Sequence, residues 1–184
     1  MSFIVKGVRL RIEFSFLVFS AMIFLLRGAE TALVFFAVCL IHEFGHAAVL
    51  FASGGRLSEL IFLGAGIKML PDRNKIISIR WETAILLAGP LLNIIIFLVL
   101  EWISHRNCFA MMNLYAAVFN LLPYSSLDGG AALRLIMGCS EFAGIFLAFL
   151  QVIPLFVIGY AMIFINNLFF LPFCIVLFYF LCEF

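Results

Sequence analysis

Apolar runs separated by short polar breaks divide this chain into six candidate membrane spans, because about 20 consecutive apolar residues cross a bilayer core as a helix. The first run, Phe14 to Leu26, follows Lys6, Arg9 and Arg11. Arg27-Gly28-Ala29-Glu30 after it is a poor small-residue cleavage site, so a retained helix is expected rather than a signal peptide. The second run extends from Thr31 to Ala52, and a polar stretch, Ser53 to Trp81, separates it from a third at Thr83 to Trp102. A fourth starts near Cys108 and loses its apolar character at Pro123. Phe142 to Ile165 is the fifth, with Pro154 as a kink, and Leu168 to Cys182 after the Asn166-Asn167 turn signal is a short sixth.

Within the polar stretch, two short apolar segments flank Gly64-Ala65-Gly66 and predict two strands around a glycine turn. If the strand through Leu60, Ile61, Phe62 and Leu63 is an edge near the membrane surface, it offers a place for a peptide to add as a further strand. A bare loop is the plainer reading of the same residues. The expected fold is therefore an all-α polytopic membrane protein of about six transmembrane helices, with a small membrane-associated β-hairpin between the second and third. Residues 1–184 are expected to form a single transmembrane domain.

Composition excludes the soluble classes. Of 184 residues, 66% are hydrophobic and 11% charged, against roughly 45–50% and about 25% in an average globular chain. Disorder, nucleic-acid binding and a secreted disulfide scaffold are all inconsistent with these values. The net charge of +1 gives no reason to expect an acidic partner. The 5 cysteines lack C-x-x-C spacing and fall mostly inside apolar runs, which reads as structural thiols. Of the 11 basic residues, all but Arg27 and Arg106 fall on one side if the N-terminus is cytoplasmic. The positive-inside rule then places both termini in the cytoplasm, in a multi-pass protein of a bacterial cytoplasmic membrane.

The second span carries His42-Glu43-Phe44-Gly45-His46. Positions i and i+4 share one helix face, so both imidazoles can reach one metal ion. Glu43, about 100° round the helix, is placed to take a proton from a water on that metal, which is the logic of H-E-x-x-H peptidases. The pattern uses two of the chain's 3 histidines. Ionisable groups inside a bilayer are costly and usually functional; hydrogen bonding between helices without a metal is the alternative. A catalytic zinc usually takes a third protein ligand. His105 is expected on the opposite side of the membrane, and Asp72 reads as a solvated charge. Asp128 lies where a proline-broken helix restarts at Gly129-Gly130, and irregular backbone at that depth is tolerated when it lines a polar cavity. Capping of the following helix is the competing role for Asp128.

His42-Glu43-Phe44-Gly45-His46, followed some 80 residues later by Asn120-x-x-Pro123-x-x-x-x-Asp128-Gly129, resembles the site-2 protease family of intramembrane zinc metalloproteases. Ala88-Gly89-Pro90-Leu91-Leu92-Asn93 is similar to a further motif of that family, and the six-span members look nearest. Two departures are expected: no PDZ domain and no CBS domain. The resemblance implies one Zn2+ held by His42, His46 and Asp128, with Glu43 as general base and Asn120 bonding the substrate or its oxyanion. Leu60 to Leu63 and Asn93 are expected to bind substrate, although Asn93 could equally join two helices. The implied activity is hydrolysis of membrane-tethered or single-span proteins in or near the bilayer, with a regulatory membrane protein as a further partner. Two rival readings use the same residues: a metal-binding or metal-transporting membrane protein, and an inactive homologue that binds membrane partners.

Overall fold

The structure is a computed structural model describing residues 1–5, 7–63, 66–72, 78–104, 107–138 and 143–154. The chain divides into two units, Met1–Val118 and Phe119–Phe184. In the first, a long helical segment α1 (Phe14–Ala52) is broken at Gly28, whose φ of 85° and ψ of 170° are not helical. A Cβ at Gly28 would meet nothing within 4 Å, so glycine is needed there for its backbone freedom rather than for space. The chain doubles back at this point. The rings of Phe16 and Phe36 lie 5.2 Å apart and those of Phe19 and Phe35 5.6 Å apart, whereas straight helix would separate the first pair by about 30 Å and the second by about 24 Å. The first two expected spans are thus antiparallel arms of α1.

Before α1 stand β1 (Ser2–Val5) and β2 (Val8–Ile12); after it come β3 (Leu57–Leu63) and β4 (Gly66–Pro71). They form a four-stranded sheet in the order β1-β2-β3-β4. The outer pairs are antiparallel hairpins, and β2 runs parallel to β3, with Leu10 opposite Leu60 and Ile12 opposite Phe62. Val-Arg-Leu-Arg-Ile in β2 alternates half-buried and exposed positions, the period of a strand covered on one face. Phe62 on β3 sets its ring edge-on to Phe16 of α1 at 5.4 Å, which ties the sheet to the first arm. The expected hairpin is therefore half of a larger sheet. Its other half comes from the N-terminal residues, which read only as a basic flank.

Helix α2 (Ile79–Ile103) begins inside the stretch expected to be polar, with Glu82 in its first turn beside the positive end of the helix dipole. Its buried residues Gly89, Pro90 and Asn93 make one stripe. That stripe meets a matching one on the second arm of α1, Val38, His42, Gly45, His46 and Leu50. Large apolar side chains point outward instead: Leu33, Leu40, Phe44 and Phe51 on α1, and Leu91, Ile95, Leu98 and Trp102 on α2 are all exposed. Polar residues inside and apolar residues outside is the arrangement expected when lipid is the solvent. Among the described residues, α1 and α2 are long and apolar enough to cross a membrane. Helix α3 (Cys108–Asn120) ends three residues before Pro123, as the steric restriction ahead of proline favours.

In the second unit, α4 spans Asp128–Met137 and a short apolar helix α5 spans Ala143–Pro154. The buried Tyr124 hydroxyl donates to the Gln151 carbonyl at 2.7 Å, joining the turn before α4 to α5. The expected fifth span is described only as far as Pro154; the sixth, Leu168 to Cys182, lies outside the described residues. The six-span count is therefore tested only in its first part.

Candidate metal centre

The i, i+4 spacing does what helical geometry requires. His42 and His46 are both buried on the second arm of α1, with their Nε2 atoms 3.0 Å apart. The other nitrogen of each ring faces an oxygen. His46 Nδ1 donates to the Ile85 carbonyl of α2 at 2.7 Å. His42 Nδ1 lies 3.2 Å from Asn93 Oδ1, also on α2. A carbonyl can only accept, so each neutral ring carries its proton on Nδ1 and turns a lone pair outward from Nε2. Two lone pairs at 3.0 Å repel unless a cation lies between them. Two imidazole nitrogens bound to a tetrahedral zinc, each about 2.0–2.1 Å from it, stand about 3.3 Å apart. The donor set and its spacing fit a zinc ion.

Glycines let the two helices come close enough for these contacts. A Cβ on Gly45 would stand 2.6 Å from the Ala88 carbonyl oxygen, and one on Gly89 would run into His46 Nε2. Small residues at a helix contact in lipid allow this approach. Gly45 lies between the histidines in sequence and Gly89 opens the Gly89-Pro90 step, so the two motifs are opposite sides of one contact. Glu43 is half-buried on the next face of the same helix.

The second unit presents the remaining motif. Asp128 occupies the first turn of α4, is partly buried, and is not the cap; that position belongs to Leu127, which makes no side-chain cap bond. Capping therefore does not account for the aspartate. A Cβ on Gly129 would run into the Leu121 carbonyl and one on Gly130 into that of Tyr124. The glycine pair thus lets α4 start directly against the preceding turn and sets the position from which Asp128 projects. Asn120 ends α3 at the other side of that turn, half-buried.

Two expectations change. Leu60, Ile61, Phe62 and Leu63 are not on an edge strand, because β3 is bonded to β2 on one side and β4 on the other. Its ladder groups are engaged, so no peptide can add there. Asn93 is not placed to touch a substrate either. It is fully buried, accepts from His42, and donates through Nδ2 to Asn113 Oδ1 at 3.2 Å. Asn113 is the residue the sequence reading missed. A lone amide in an apolar helix was the available signal, the same one that drew attention to Asn93.

No family model matches the chain. It is 32% identical over 123 residues to a Synechocystis sp. protein described as a zinc metalloprotease, covering 60% of this chain and 32% of that one. It is 27% identical over 153 residues to a zinc metalloprotease of Methanocaldococcus jannaschii, covering 73% of this chain and 44% of the relative. The chain thus spans about a third to under half the length of these curated relatives. Its fold superposes on the solved site-2 protease from Methanocaldococcus jannaschii with a TM-score of 0.70 at 21% identity, covering 100% of this chain and 94% of that one. This is a membrane protein. Two sequence likenesses and a shared fold point the same way: the chain is similar to proteins described as zinc metalloproteases and has the fold of the solved site-2 protease.

Proposed function

We propose that this chain is a zinc metalloprotease that cleaves membrane-tethered or single-span proteins within or near the bilayer. The observation carrying this reading is the pair of histidine Nε2 atoms 3.0 Å apart on one helix, with the carboxylate of Glu43 next to His42 in the chain. His42 and His46 offer two imidazoles and Asp128 a carboxylate, the donor types of a catalytic zinc site. Zinc bound there supplies a polarised water and a Lewis acid for the scissile carbonyl. Glu43 takes the proton from the attacking water on its carboxylate and delivers it to the leaving amine. Asn120 donates a hydrogen bond to the substrate carbonyl as negative charge develops on its oxygen. Gly129 and Gly130 allow the close turn from which Asp128 projects.

The charge pattern supports a cytoplasmic position for the sheet, which carries Arg9, Arg11 and Lys68. With β3 internal, the extended form of a substrate is held elsewhere than on Leu60 to Leu63. The test is Glu43→Gln in detergent-solubilised or reconstituted protein. It is expected to retain zinc and to lose cleavage of a membrane-tethered reporter; undiminished cleavage would remove the mechanism. Zinc flux into liposomes without any cleavage by the wild type would favour transport.

A further inference from the structure

Two buried asparagines behind His42 form a hydrogen-bonded chain whose direction is set at its far end by a backbone carbonyl. Asn113 Nδ2 donates to the Phe109 carbonyl at 2.8 Å. This turns Asn113 Oδ1 toward Asn93, whose Nδ2 donates to it at 3.2 Å. Asn93 Oδ1 is thereby turned toward His42 Nδ1 at 3.2 Å. A backbone carbonyl has no proton to give, so the series cannot run the other way without bringing acceptor against acceptor at the Phe109 carbonyl. Both asparagines are fully buried, where a mismatched amide is costly. Helix α1 contributes His42, α2 Asn93, and α3 both Asn113 and the Phe109 carbonyl.

We infer that Asn113 is a positioning residue for the metal centre: it orients the Asn93 amide, which holds His42 as the Nδ1–H tautomer with Nε2 available to a metal. The inference rests on the zinc reading of His42 and His46. It assigns a role to a residue outside the recognised motifs and gives Asn93 a definite one. Groups that hold the second nitrogen of a ligand histidine typically affect metal affinity 10–100-fold. Packing alone would not make the effect of Asn113 depend on the group at position 93.

The experiment measures zinc affinity of the purified full chain in detergent by competition with a chromophoric chelator, alongside size-exclusion profile and thermal midpoint. Wild type that takes up no zinc defeats the metalloprotease reading itself. Given zinc binding by wild type, Asn113→Leu is expected to weaken it about 10–100-fold, because Asn93 loses the acceptor that orients it. In the Asn93→Asp background the same Asn113→Leu change is expected to cost less than about 3-fold, since either carboxylate oxygen accepts from His42 whichever way it turns. Equal losses in the two backgrounds, or no loss in either, would overturn the inference. If Asn113→Leu does not fold, Asn113→Asp decides. It keeps the acceptor for Asn93 and is expected to hold zinc within a few-fold of wild type; a loss of about 10-fold or more overturns the proposal.

Discussion

Gly89 of α2 lies so close to His46 of α1 that a Cβ on the glycine would run into the imidazole Nε2. The same Cβ would stand 3.0 Å from His42 Cε1. The bare glycine backbone therefore forms one wall around the two imidazoles. Gly89→Ala is expected to displace them and to weaken zinc binding by about tenfold or more, since overpacking a tight contact costs about 1–3 kcal/mol. Gly45→Ala, which presses on the Ala88 carbonyl, should instead lower the thermal midpoint by forcing α1 and α2 apart. Chelator competition and thermal melts on both variants separate the two effects.

Removing the metal should loosen the same contact. Metal binding to the folded state alone stabilises by about 2.7 kcal/mol when free metal is 100 times its dissociation constant. Stripping the protein with a strong chelator is expected to lower the thermal midpoint, and zinc is expected to restore it where magnesium does not. An unchanged midpoint would argue against a metal joining these ligands.

Gly28 holds a positive-φ extended conformation that other residues adopt only at a cost of about 1–3 kcal/mol, and it has open space around it. Gly28→Ala should therefore destabilise the reversal of α1 by about that amount while leaving zinc affinity unchanged, because the metal ligands sit well along the second arm. A thermal melt together with the zinc titration checks both halves of this expectation.

Tyr124 supplies the bond that joins the turn before α4 to α5. Tyr124→Phe keeps the ring and leaves the buried Gln151 carbonyl without its hydroxyl donor, a loss worth about 1–3 kcal/mol. The expected result is a lower thermal midpoint. Reduced proteolytic resistance around residues 121–127 would locate the loss at this turn.

Much of the centre was legible in the linear order. His42 and His46 share a face because a helix repeats every 3.6 residues, and no tertiary information is needed to see it. The reversal at Gly28 was marked by Arg27-Gly28-Ala29-Glu30 between two apolar runs, and the end of α3 by Pro123. The sheet was harder. Its two hairpins are local, and the Gly64-Ala65-Gly66 turn signalled one of them. Pairing Arg9 with Glu59 joins segments separated by all of α1. That pairing made β3 an inner strand and removed the docking role expected of Leu60 to Leu63.

By itself, the sequence determined the apolar helices, the ligand types and the i, i+4 presentation of two imidazoles, since each follows from local periodicity and composition. Only the tertiary structure decided which tautomer those imidazoles take, that Asn93 serves His42 rather than a substrate, and that Asn113 stands behind it. The reason is physical: hydrogen-bond direction is set by which acceptor lies at the far end of a chain of groups. Here that acceptor is the Phe109 carbonyl, in a helix distant in sequence from the histidine it orients.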